Sequence, residues 1–448
     1  MRVIYVALFA MCILLTAAVL TAQQSRRIFM QEQLQAEVMF RHQWETLQID
    51  NAHGAAHYGT YIFQPASALS AFDKGITDFT GNIYRIEAHK QHGFLAAPLP
   101  ASGIYARFGS LTAASVLQLF LPLFLIFICF DIYSKERESG TLSLLLLQGA
   151  GSGLLLTGKA IVAVLLALAL LLTAWTVLML TTQDAALLAD APRTAGLISA
   201  YILYAIFFSL LSVMISFIVK RSGAVLLILL SVWLLMCLLL PRILTATSEG
   251  YISLPSHFSV QKKMSDAEKF GLDGKSPRAV RMRRFNDSLL HRYAADSLSR
   301  LPVNAAALWM QAAEDYGEQI YERYMGEVDS LIDAQNEYTA YGRYLNPFIA
   351  VREISMALSG TDLAAARHFQ QAARRYRNDF IRQLNGKLAA RGKVTADFYR
   401  RMSPFIYTTP SAASVFKRLL PAFFALCIWV CIPIAGLFLF NRYRSPLY

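Results

Sequence analysis

Charge is scarce in this chain of 448 residues, where Asp, Glu, Lys and Arg together make up 16%. Six apolar runs lack Asp, Glu, His, Lys and Arg altogether: Val3 to Ala22, Leu111 to Phe130, Ala160 to Leu180, Ala195 to Val219, Gly223 to Leu240 and Leu419 to Phe440. Pumps and ion-coupled transporters keep such residues inside the membrane to hold the coupling ion or proton. Their absence argues against that mode of coupling, so any energy for work must come from another subunit. Cysteine is also sparse. Cys12, Cys129, Cys237, Cys427 and Cys431 all fall inside the apolar runs, which leaves the polar segments without a disulfide framework or a metal-thiolate site. No H-E-x-x-H, G-x-S-x-G or other nucleophile motif occurs, and no catalytic residue is expected. Gly153 to Ala160 nearly spells a phosphate-binding loop, but Ala160 lacks the hydroxyl that holds Mg²⁺ and the run leads straight into an apolar stretch without a preceding strand. Nucleotide binding by this chain is therefore not expected.

Each run is roughly 20 residues, enough to cross a hydrocarbon core of about 30 Å. The chain reads as an all-α polytopic membrane protein with six transmembrane helices, in line with its 55% hydrophobic content and mean hydropathy of +0.40. The expected boundaries are spans at 1–22, 111–130, 160–180, 195–219, 223–240 and 419–440. Between them lie polar segments at 23–110, 131–159 and 241–418, and a tail follows at 441–448. Much of the net charge of +12 sits in the segment between spans five and six. It reads as a solvated basic helical surface, with contact to anionic lipid headgroups or an acidic ligand as the sharper alternative and no nucleic-acid partner.

Positive charge in short loops marks the cytoplasmic side. Arg2, then Lys135, Arg137 and Lys159, then Lys220 and Arg221, then Arg442 and Arg444 alternate along the chain. Both termini are thus expected inside, with two large segments outside. Span one reads as an uncleaved anchor, because its apolar run is long for a signal peptide and Leu20-Thr21-Ala22 is a poor cleavage site. The first outer segment is predicted to be mixed: a helix continuing from span one through Trp44, then turns and strands around His57 to Phe63. The second is predicted to be mainly helical. Tyr316, Ile320, Tyr324, Val328 and Leu331 recur at helical spacing, as do Phe369, Ala373, Tyr376, Phe380 and Leu384. Asn346-Pro347 separates the two patterns and Gly360-Thr361-Asp362 supplies a helix start, so an antiparallel helical bundle on the outer surface is expected. All eight histidines lie in these segments, with His53 and His57 four apart and His89 and His92 three apart. A metal site would need them on one face with a further ligand such as Glu87. They are read instead as surface or turn histidines, with no metal expected.

In span four, Ala205, Ser209, Ser212 and Ser216 fall on one helical stripe. Small residues let helices approach closely, either within this chain or at a seam with a second chain beside a substrate path. Between spans two and three, a charged cluster from Lys135 to Glu138 precedes an apolar body of Leu142 and Leu144 to Leu147. That pattern predicts a short amphipathic element at the membrane surface, joined to both spans and able to carry force from a soluble partner.

The run Ser134-Lys135-Glu136-Arg137-Glu138-Ser139-Gly140-Thr141-Leu142, with Leu145 and Leu146 following and Gly158-Lys159 opening the next span, resembles the signature of ABC-2-type transporter permeases. In that family the element is the coupling helix, which fits a groove on a separate cytoplasmic ATPase subunit. The resemblance extends to the six-span order. Ala56 to Tyr61, Glu87 to Lys90 and Ser355 to Asp362 resemble a bacterial branch with enlarged extracytoplasmic insertions. It implies ATPase coupling through Glu136, Arg137, Glu138, Gly140, Thr141, Leu142, Leu145, Gly158 and Lys159. It also implies a second permease chain, identical or a sister, and ATP and Mg²⁺ bound by the partner ATPase rather than here. The expected location is the bacterial inner membrane. The chain departs from the common pattern in its long outer segments and in having only Met1 and Arg2 before span one, so the coupling segment would carry most of the docking. An ATP-driven exporter is the function implied. The alternative is a mechanotransmission or sensory protein that moves its outer domain without passing substrate.

Overall fold

The computed structural model describes residues 2–89, 111–181 and 190–444. Met1, residues 90–110 of the first polar segment, including Lys90 and His92, and residues 445–448 of the tail lie outside the described residues. Six described helices are long and apolar enough to cross a membrane, and the chain is a multi-pass membrane protein.

Helix α1 (Arg2–Glu45) runs unbroken from the first apolar run to Trp44. Next come α2 (Ala52–Tyr58), strand β1 (Thr60–Phe63) and strand β2 (Ile83–Ile86), and the two strands pair antiparallel with Thr60 opposite Ile86. Span two is α3 (Ala113–Cys129), whose first turn is closed by a reciprocal capping box between Thr112 and Ser115. Two short helices follow, α4 (Ser134–Glu138) and α5 (Thr141–Leu147), and then spans three and four, α6 (Ser152–Thr181) and α7 (Ala191–Ile218). Span five is α8 (Ser222–Tyr251), which outlasts the fifth apolar run by a further turn or more. It contains a π-helical stretch over Leu234–Leu239. Pro241 offers no N–H and its ring crowds the carbonyl four residues back, so the ladder widens just before it. The Asn346 amide supplies a donor to the loosened region, bonding the Met236 carbonyl at 2.6 Å.

The second polar segment is helical: α9 (His257–Phe270), α10 (Arg278–Arg292), α11 (Ala305–Tyr341), α12 (Pro347–Ser359), α13 (Leu363–Ala389) and α14 (Ala396–Arg401). Asn346 caps α12 and Asp362 caps α13, so the Asn-Pro and Gly-Thr-Asp punctuation falls at helix starts. Span six is α15 (Ala412–Arg444).

Two packing features depart from the picture of separate outer domains. Trp44, Ala55, Ile62, Tyr84 and Ile86 from the first segment share one core with Phe369, Phe380, Leu384 and Tyr399 from the second, so the two segments form a single domain. Helix α12 meanwhile leaves that domain and packs into the bundle, where Phe348, Val351, Ile354 and Leu358 join Leu197, Tyr201, Leu419 and Ala422. Its apolar face is too broad to be left to water. Span four, α7, is central and touches α3, α6, α8, α12 and α15.

Candidate functional site

The site is built at the end of the bundle where α3 turns into α4. Gly140 adopts φ of 75° between α4 and α5, a left-handed conformation that other residues reach only at a cost, and it lets α5 fold back against the spans. The Ser216 hydroxyl accepts hydrogen bonds from the backbone amides of Tyr133 and Ser134, both at 3.1 Å, satisfying donors at the start of α4. Arg137 donates to the carbonyls of Phe217 at 2.9 Å and Val219 at 3.4 Å, where α7 ends. Those carbonyls have no partner within the helix and carry partial negative charge, which a guanidinium suits. Glu138 does the converse at the start of α8. Its two carboxylate oxygens accept from the Ser222 amide and hydroxyl, each at 2.8 Å. Glu136 pairs with Lys159 at 2.7 Å, and Lys159 also donates to the Ile132 carbonyl. Helix α4 thereby clasps α6, α7 and α8 at once.

Glu136, Arg137 and Glu138 are thus each held by groups of their own chain, a lysine and two helix ends. Below them Leu142 is buried with Tyr133, Leu156, Ala160 and Phe217, while Leu145 is half-buried. Thr141 donates to the Glu136 carbonyl at 3.2 Å and ties α5 to α4. Gly158 is exposed, with nothing near the position a Cβ would take. The exposed face includes Lys135, Glu138, Ser143, Leu144, Leu147 and Gln148. Leu147 is 84% exposed, the most exposed of the large apolar residues on α5.

The small-residue stripe of span four faces inward. Ala205, Ser209, Ser212 and Ser216 are all buried within this one chain. Ser209 reaches the Ala163 carbonyl at 3.4 Å, Ser212 bonds the Phe208 carbonyl at 2.8 Å, and Ser216 holds α4. The stripe joins span four to span three and to the clasp.

At the opposite end lies a buried polar chain that the sequence reading missed. Gln118 donates to the Tyr201 hydroxyl at 2.8 Å, Tyr201 lies 3.0 Å from the Ser355 hydroxyl, and Ser355 donates to the Asp73 carboxylate. The Tyr204 hydroxyl bonds the Gln118 carbonyl at 2.8 Å. Burial raises the Asp73 pKa above its ordinary value of 3.8, opposed by the Ser355 hydroxyl and the Gly75 amide. Gln118, the one amide in the six apolar runs, was the available signal. Asp73 sits in a polar loop and gave none.

In the domain built from the two long polar segments, Arg377 and Glu314 form a buried pair at 2.6 Å. Burial works against ionisation of Glu314, but the hydrogen bonds from His89 and Arg377 prevail and hold its pKa near 2. Burial and the neighbouring His57 and His89 hold His53 below the usual imidazole range. His53, His57 and His89 lie together, whereas Glu87 pairs with Arg85 at 2.8 Å instead of joining them.

Two families match parts of the chain. Residues 259–408 match a domain of unknown function, DUF3526, and residues 85–269 match a protein of unknown function, DUF2705. No curated protein matches the chain.

Proposed function

We propose that this chain is the permease subunit of an ATP-driven ABC-2-type exporter in the inner membrane of a bacterium. Both termini face the cytoplasm and the outer domain lies in the periplasm. A separate cytoplasmic ATPase binds ATP and Mg²⁺, and a second permease chain, identical or a sister, completes the transporter. The observation that carries this reading is the clasp. A short element at the bundle end is fixed by paired charges and capped helix ends to three membrane helices, yet keeps Leu144 and Leu147 exposed. A partner that moves α5 must move the ends of α6, α7 and α8 together. With no Asp, Glu, His, Lys or Arg in the six apolar runs, an external motor is the natural source of work.

A second reading is favoured by α1 and α12. Helix α1 is a single rod whose Leu15 is in the bundle core and whose Trp44 is in the outer core, against Phe380 and Tyr399. Such a rod, with α12 wedged among the spans, would transmit motion to the outer domain without any flux. Co-purification with an ATPase, followed by ATP-driven accumulation of substrate inside inverted vesicles, tests both readings. Accumulation supports the exporter. ATP-dependent movement between spin labels on α13 and α7 without flux supports mechanotransmission. Absence of an associated ATPase contradicts both.

A further inference from the structure

We propose that His53, His57 and His89 form a binding site for a divalent transition-metal ion of the zinc class, with Glu314 as the positioning residue. This inference does not depend on the permease reading. His53 and His57 lie one turn apart on α2, whose start is fixed by the Asn51 side chain accepting from the His53 amide at 2.9 Å. Their Nε2 atoms approach to 3.2 Å. Two nitrogens bound to one tetrahedral zinc at about 2.0–2.1 Å would be separated by about 3.3 Å, so this pair already stands at ligand spacing. His89 arrives from elsewhere in the sequence, just after β2, and its ring lies 5.5 Å from His53 and 5.1 Å from His57. One ligand atom from each residue can be chosen so that all fall within 4.8 Å of one another.

The support around His89 is that of a ligand. Its Nδ1 lies 2.9 Å from Glu314, which also accepts the His89 backbone amide at 2.6 Å. A carboxylate on Nδ1 fixes the tautomer that leaves Nε2 with its lone pair free, the arrangement that commonly orients metal-bound histidines. Glu314 is in turn held by the buried Arg377. His89 has φ of 60°, a left-handed conformation unusual for histidine, and such outliers concentrate where a side chain must be aimed. The His53 Nδ1 is buried without a hydrogen-bond partner among the described residues, so that nitrogen is not committed elsewhere. Three imidazoles with no thiolate suit zinc, copper(II) or nickel(II) better than calcium or magnesium, and leave further coordination positions for water or a ligand. A bound ion would tie α2 to the end of β2 and, through Glu314, to α11.

The test uses the full chain purified in detergent, stripped with chelator and titrated with Zn²⁺. The expected result is one Zn²⁺ per chain by elemental analysis, with a Zn²⁺-dependent rise in melting temperature. His57→Ala, at an exposed position, should lower affinity at least tenfold, and Glu314→Gln should lower it by about 10–100-fold. His291→Ala, on a different helix, should change nothing. Co²⁺ in place of Zn²⁺ should give a ligand-field spectrum that His57→Ala abolishes. Wild-type protein that binds no Zn²⁺, or binding that His57→Ala and His53→Ala leave intact, would overturn the site.

Discussion

The clasp and the domain built from the two long polar segments both hold charged side chains, but on different terms. In that polar-segment domain Arg377 and Glu314 are enclosed, and each is the other's main replacement for water. At the clasp Arg137 and Glu138 complete helix ends near the surface, and Glu138 remains exposed. Charges in the first setting have paid a desolvation penalty that the opposite charge of the partner largely offsets, so removing one member should be severe. Charges in the second add fixed but modest attraction to helix ends, and water can substitute in part. The polar-segment domain is thus built for rigidity and the clasp for attachment that can shift with its helices.

The largest expected effect is in the polar-segment domain. Glu314→Ala should lower stability by about 3–5 kcal/mol by stranding buried Arg377, whereas the pair replacement Glu314→Leu with Arg377→Met should recover most of that loss. Unfolding of the two variants in detergent checks this, and equal losses would remove the distinction between the regions. At the clasp, Leu142→Ala should cost about 2–5 kcal/mol through the cavity it leaves. Leu147→Ala should stay within about 0.5 kcal/mol of wild type because its side chain is outside the packing. Arg137→Ala should cost about 1–2 kcal/mol by leaving the end of α7 unsatisfied.

The smallest effect concerns pH and the polar chain. Because the folded state raises the Asp73 pKa, the folded protein binds that proton more tightly than the unfolded chain does. Its contribution is present below the unfolded value and is lost as pH rises through the folded value. Asp73→Asn should remove that downward slope. A melting series against pH that keeps the same slope in the variant would assign it to other groups.

Much of this architecture was legible beforehand, because a run of about 20 apolar residues has few other fates. The continuation of α1 and the punctuation at Asn346 and Asp362 were also readable, since helical period and capping are local signals. The direction taken by the clasp charges was not. Glu138 meets Ser222 across 84 residues, and the attraction comes from a helix end that exists only once α8 has formed. Helix α12 was read as part of the outer bundle because its apolar face does not reveal which core it joins. His53 and His57 were visible as residues four apart, although the stretch from His57 was read as turns and strands and not as the end of a helix, and His89 reaches them only through the pairing of β1 with β2. Reversing Glu136 and Glu138 to lysine would therefore disturb the clasp itself, and docking is better probed at Leu144 and Leu147.

The most direct measurement places a single cysteine at Leu147, with the five native cysteines replaced, and crosslinks it in membranes. The expected adduct is a cytoplasmic polypeptide carrying a complete G-x-x-x-x-G-K-[ST] loop, formed in a yield that changes with ATP, while a cysteine at Asn336 labels only from the opposite side. Labelling of both positions from one side, or a Leu147 cysteine that captures no such ATPase, would contradict coupling through α4 and α5.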